Sequence, residues 1–316
     1  MPNIVEDVIP RLANTMRSVL TDAQIQVHQS EQESQFDLRF DGLPSWRLIV
    51  QNHSITSDYQ MIETHIDLFP LCIASLSKTE LQRLTASENS GLRGVTVSPL
   101  HSEAHDDRSG LRVRARFLAQ MGDSDDEVEN LTADILTVLT FARTLEDRLT
   151  ENTVAGEFSF ELYNSRFEAP NATLSARFVR TDQNIFEGSS ERVYHEVMSK
   201  IRPSFRYEMR NAGPRSSILT VEGSEPLLEI VTKIPDEAAM FIAHAPLLNL
   251  TGMDPSDVWS LLEELNSSTE VGHFEVSPSD MILCFTTWKH LTNDLRQFSF
   301  EHAIVSVNNA FKIACR

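Results

Sequence analysis

Cysteine is scarce in this sequence: Cys72, Cys284 and Cys315 are the only three in 316 residues, widely spaced and without a C-x-x-C pair. This excludes a disulfide framework and a cysteine-rich zinc site as organising features, and fits a reducing compartment. Long apolar runs are missing too. None nears the roughly 18 residues of a membrane-spanning helix, and the opening "MPNIVEDVIPRL" lacks the basic start and unbroken apolar stretch of a secretory signal. A cytoplasmic protein with no membrane association is expected. Basic side chains are in short supply, 27 against 46 acidic ones, for a formal charge of -19. Nucleic acids and anionic lipids are held by clustered Lys and Arg, so this balance argues against both and suits a basic or amphipathic protein partner. Enzyme motifs are absent: no G-x-G-x-x-G, G-x-x-x-x-G-K-[ST] or G-x-S-x-G occurs, and no segment nominates a nucleophile together with a base. A non-enzyme without a cofactor is the expectation.

What is present is an ordinary globular composition, 41% hydrophobic and 23% charged, in a chain long enough for two domains. The stretches "MIETHIDLFPL" and "MFIAHAPLLNL" share one frame: Met61, His65, Leu68 and Leu71 match Met240, His244, Leu247 and Leu250. A shift of about 179 positions also places Val97-Ser98-Pro99 on Val276-Ser277-Pro278, the mark of an internal duplication. The expected boundaries are 1–150 for a first domain, 151–183 for a connecting hairpin and 184–316 for a second domain.

The pattern classes repeat at the same shift. "IVEDVIPRLANTMRSVL" and "SSERVYHEVMSKI" carry helical periodicity. Each is followed by four segments that alternate as strands: "IQVHQ", "QFDLRF", "WRLIVQN" and "YQMIETHI", then "FRYEMRN", "SSILTVEG", "PLLEIVTKI" and "AAMFIAHA". Short turns between them imply an antiparallel meander. Capped helices follow, "SKTELQRL" with Ser77 and Glu80 spaced as a capping box, and "DPSDVWSLLEEL" with Asp254 as cap. Two more strands and a closing helix complete each half. The fold class read from this is α+β, two tandem repeats of helix, antiparallel strands, helix, two strands, helix. Between the halves, "EFSFEL" and "TLSARFV" alternate and predict the connecting hairpin.

This order, with the closing stretch "GHFEVSPSDMILCFTTWKHLTNDLRQFSFEHAIVSVNNAFKIA", resembles the YbjN family and the wider type III secretion chaperone-like proteins. The resemblance covers most of both halves but not the join. It implies a small antiparallel sheet packed by helices and a binding role: a chaperone-like or regulatory protein that holds a partner segment without catalysis. Two copies in one chain would form an intramolecular pseudo-dimer. The alternative is a small-ligand sensor or enzyme with a site between the halves.

Several residues invite a chemical role. His65 and His244 repeat within a repeated frame, which is first of all a packing position hydrogen-bonded within the fold. In "RSGLRVRARF", strand alternation places Arg112, Arg114 and Arg116 on one face, able to grip a partner's carboxylates or phosphates or to be balanced by Glu63 and other acids on neighbouring strands. Phe298 and Phe300 in "FSFEHAIVSVNNAF" supply apolar surface for pairing between halves or for a partner. The loop "LHSEAHDDRSG", where the second half has only "SD", is an insertion of about nine residues in the first half and carries His101, His105, Asp106 and Asp107. These are acceptable metal ligands, but an acidic solvated tip is the plainer reading, and no metal is expected. "YHEVM" lacks the second histidine of a zinc hydrolase helix.

Overall fold

The computed structural model describes residues 23–29, 33–40, 46–54, 59–89, 95–101, 109–120, 124–166, 207–213, 216–221, 228–233, 240–269, 272–277 and 281–290, with a few isolated positions besides. Its chain divides into two compact units, Met1–Glu88 with Val95–Pro170, and Asn89–Gly94 with Asn171–Arg316.

In the first unit, alternating segments form β1 (Ala23–Gln29), β2 (Glu33–Phe40), β3 (Trp46–Ser54), β4 (Tyr59–Leu68), β5 (Thr96–His101) and β6 (Ser109–Gln120). They make one antiparallel sheet in the order β1-β2-β3-β4-β6-β5. A 3-10 turn at Leu71–Ile73 leads into α1 (Lys78–Asn89), and α2 (Ser124–Glu151) follows the sheet. The capping box is present at the start of α1: Ser77 N–H donates to Glu80 Oε2 at 2.8 Å, and Glu80 N–H donates to Ser77 Oγ at 3.4 Å. On α2, Leu131, Ile135, Val138, Ala142, Leu145 and Leu149 recur every four or three residues, so they share one face and all are buried. That face packs on β4 and β6, where Ile62, Ile66, Val113 and Ala115 point to the same side.

The second unit holds β9 (Tyr207–Gly213), β10 (Ser216–Val221), β11 (Leu228–Lys233), β12 (Met240–Asn249), β13 (His273–Ser277) and β14 (Ile282–His290), ordered β9-β10-β11-β12-β14-β13. Both sheets thus place two hairpin-connected strands beyond a four-stranded meander in the same sequence. Helix α4 (Pro255–Ser268) lies against β13 and buries Val258, Leu262 and Leu265. Its cap is Asp254, whose carboxylate accepts from Ser256 N–H at 2.9 Å, with Pro255 opening the helix. Gly272, at φ +82°, enters β13 so tightly that a Cβ there would lie 2.5 Å from the Thr286 carbonyl oxygen.

The α+β expectation, with its helix, strands, helix, two strands, helix repeat, is corrected. Among the described residues strand outnumbers helix, and the molecule is built on two six-stranded, wholly antiparallel sheets with four α-helices. The reason lies in strand length: alternation through "SGLRVRARFLAQ" and the apolar run "MFIAHAPLLN" carry these strands to 12 and 10 residues, so each half spends its chain on sheet. The helices expected at the start of each half and at the end of the second are described only at isolated positions, among them Asn14, Arg17, Met198, Val307 and Ala310, which are helical. The segment "EFSFEL" also departs from expectation. Glu157–Phe158 (β8) pairs with Thr153–Val154 (β7) across the Ala155-Gly156 turn, and the chain then enters α3, Phe160–Arg166. "TLSARFV" lies outside the described residues.

Candidate functional site

The first polar cluster lies on the face of sheet one away from α2. Register sets Glu63 opposite Arg116, His65 opposite Arg114 and Asp67 opposite Arg112. Arg112 grips Asp67 with two hydrogen bonds, from Nε at 2.7 Å and Nη2 at 2.8 Å, and Arg116 Nε pairs with Glu63. His65 Nδ1 lies 3.0 Å from the other Glu63 oxygen. Glu63, His65 and Arg114 are buried. Burial opposes the charge on Glu63, but the His65 contact and the Arg116 and Arg114 guanidinium groups outweigh it and hold the carboxyl well below the usual range. Burial, then the neighbouring Arg116 and Arg112 charges, lowers Arg114 to about 10. All three arginines already interact within the chain. An acidic ligand would have to displace those contacts.

The second cluster lies on β12, β14 and β13, in adjacent order. One row across the sheet is His244, Thr286 and His273; the next is Pro246, Cys284 and Glu275. Thr286 Oγ1 donates to Glu275 Oε1 at 2.7 Å and meets His244 Nδ1 at 2.8 Å, so the His244 Nδ1–H donates to Thr286. His244 Nδ1 is also 3.3 Å from Glu275 Oε1. His273 Nε2 stands 3.9 Å from Glu275 Oε2, near enough for attraction but too far for a hydrogen bond. Burial opposes a charged His244, but hydrogen bonds with Cys284 and Glu275 raise its pKa to about 9. Burial likewise opposes the Glu275 charge, while His244, His273 and Thr286 drive its carboxyl far below the ordinary range.

The two repeated histidines therefore each meet a glutamate, His65 from its own strand and His244 from β13. These pairings predict a two-sided pH dependence. Glu63 and Glu275 have depressed folded pKa values, so their contribution is present above their ordinary value of 4.5 and is lost as pH falls below it. His244 is raised, so its contribution is complete below 6.5 and lost as pH rises to about 9. Urea midpoints should peak between pH 4.5 and 6.5, and His244→Gln should flatten the alkaline limb while leaving the acid limb. An alkaline limb unchanged in that variant would count against the His244 pairing.

Of the other candidates, Phe298, Phe300, His105, Asp106 and Asp107 lie outside the described residues, as does the side chain of His101. Among the described residues no His, Cys, Asp and Glu group has the geometry to hold a metal ion. Nor is any helix there long and apolar enough to cross a membrane.

The sheet edges differ. At β13, Asn266 on α4 receives Phe274 N–H on its Oδ1 at 2.6 Å and donates from Nδ2 to the Phe274 carbonyl at 2.9 Å. The amide thus imitates a neighbouring strand and closes that edge. At the far side, among the described residues β9 pairs only with β10, and residues 208–212 are exposed, Met209 at 57%. Arg210 reaches across to Glu229 at 3.0 Å. The sequence shows β9 as an alternating segment, but which strand ends a sheet depends on pairing between distant segments.

No family model matches the chain, and no curated protein does. Among solved structures, the di-domain ARO/CYC StfQ from the steffimycin biosynthetic pathway is similar at 10% identity and a TM-score of 0.16, covering 98% of this chain and 92% of that one. A likeness at that score carries no argument about fold or activity.

Proposed function

We propose that the chain is a non-catalytic, regulatory protein of the kind implied by the YbjN resemblance, acting in the cytoplasm by holding an extended segment of a protein partner along the edge of β9. The observation that supports this reading is the asymmetry of the second sheet: Asn266 occupies the Phe274 backbone groups at one edge, while residues 208–212 of β9 are exposed at the other. An extended segment would add as a further strand, with backbone hydrogen bonds supplying affinity and the exposed Met209 side chain an apolar contact. The net charge of -19 favours a basic segment and slows self-association. Glu208 and Arg210, both exposed on β9, are the kind of charge that keeps an open edge from pairing with its own copy.

The test is capture from the native cytoplasm at moderate salt, comparing the tagged wild-type chain with Met209→Lys and reading the bound proteins by mass spectrometry. Placing a lysine on the edge should reduce recovery of the partner by about tenfold or more, equivalent to roughly 1.4 kcal/mol. Equal recovery by both chains would remove β9 as the binding edge.

A further inference from the structure

Cys284 is the one buried member of the two cysteines that the structure describes. It sits directly opposite Glu275, and diagonally across β14 and β12 from His244. Diagonal neighbours on one face of an antiparallel pair are within reach of each other's side chains. The imidazole is fixed from the other side. Its Nδ1–H is held by Thr286, which is held by Glu275, leaving Nε2 as the position for a second proton. A second, independent feature faces the same carboxylate: His273 is fully buried, and neither ring nitrogen makes a hydrogen bond among the described residues. A buried imidazole with open hydrogen-bonding positions beside a carboxylate suits a small polar guest, since buried polar groups are otherwise satisfied. The equivalent face of the first unit has no thiol and is closed by arginine–carboxylate pairs.

We propose that Cys284 is a peroxide-reactive thiol, with the His244 imidazolium stabilising its thiolate and protonating the leaving oxygen, and Glu275 positioning that imidazole. The reactant class follows from access: Cys284 is 3% exposed and His244 only half-buried, which suits a small uncharged oxidant rather than a peptide or acyl chain. The protonated His244 imidazole stabilises the Cys284 thiolate, whose sulfur attacks one oxygen of the hydroperoxide. The S–O bond forms as the O–O bond breaks, and the departing hydroxide takes the Nε2 proton of the His244 imidazolium and leaves as water. Sulfur is oxidised to the sulfenic acid and the peroxide is reduced, with nothing else consumed. Oxidation of Cys284 is independent of what β9 binds.

The test treats the full-length chain with hydrogen peroxide in the presence of a sulfenic-acid trap and measures adducts at Cys284 and Cys72 by peptide mass spectrometry. Exposure alone ranks half-buried Cys72 ahead of buried Cys284. The proposal predicts the reverse, Cys284 trapped about tenfold faster. His244→Gln should abolish that advantage and leave Cys72 unchanged, and Glu275→Asp should retain more of it than Glu275→Gln. Trapping of Cys284 in the wild-type chain no faster than Cys72 overturns the proposal whatever the variants do, and so does full reactivity in a folded His244→Gln chain.

Discussion

Arg148→Met is expected to destabilise the first unit by about 3–5 kcal/mol, the range for removing one partner of a buried ion pair. Glu88 is completely buried on α1, where its carboxylate pairs with Arg148 Nη2 from α2 and accepts from the Tyr163 hydroxyl of α3 at 2.6 Å. Three helices are thereby joined at one carboxylate. Without the guanidinium, the buried carboxylate loses its counter-charge. Adding Glu88→Gln should recover much of the loss, because the amide needs no counter-charge. Arg148 Nε and Nη1 have no hydrogen-bond partner among the described residues, so the pair is imperfectly satisfied from the outset. Urea unfolding of both variants measures this. A single variant within about 1 kcal/mol of wild type, as for an exposed pair, would show that Glu88 is not held as described.

Asn266→Leu should cost the second unit about 2–6 kcal/mol, since it strands two backbone groups of Phe274 at about 1–3 kcal/mol each. Asn266 is buried, and leucine is close in size, so packing changes little while both hydrogen bonds vanish. The loss should appear in urea unfolding, together with faster amide exchange along β13. Because Asn266 also closes this edge, the variant should self-associate more than wild type. Unchanged stability would mean that water or another group satisfies Phe274.

Local chemistry made the strands legible. "QFDLRF" and "LRVRARFLA" alternate so regularly that their inward residues Phe36, Val113 and Ala115 could be assigned before any pairing was known, and the observed strands contain these segments. The caps at Ser77 and Asp254 were legible for the same reason, since each involves residues only two or three apart. The balance of helix and sheet was not legible. "FEL" after Phe158 continues the alternation in sequence, yet Ser159 caps a helical turn there through Leu162 N–H.

The candidate sites were legible in part. Placing Arg112, Arg114 and Arg116 on one face required only the period of a strand, and Glu63 could be named as a balancing acid. Their burial and the pairing of Asp67 with Arg112 required the β4–β6 register. His244 stood out through the repeat, but Cys284 and Glu275 did not, because they come from β14 and β13 and meet His244 only through two strand pairings. The same holds for Glu88, Arg148 and Tyr163, which are separated by 60 and 15 residues in sequence yet share one carboxylate. A sequence displays what lies on a face; long-range register decides what that face meets.

The most direct measurement is amide hydrogen exchange on the second unit, with and without the captured partner. Strand addition at β9 predicts that amides within Tyr207–Gly213 exchange readily in the free chain and slow by about tenfold or more in the complex, while β13 amides near Asn266 stay protected in both. Protection appearing elsewhere, with β9 exchange unchanged on binding, would contradict the account.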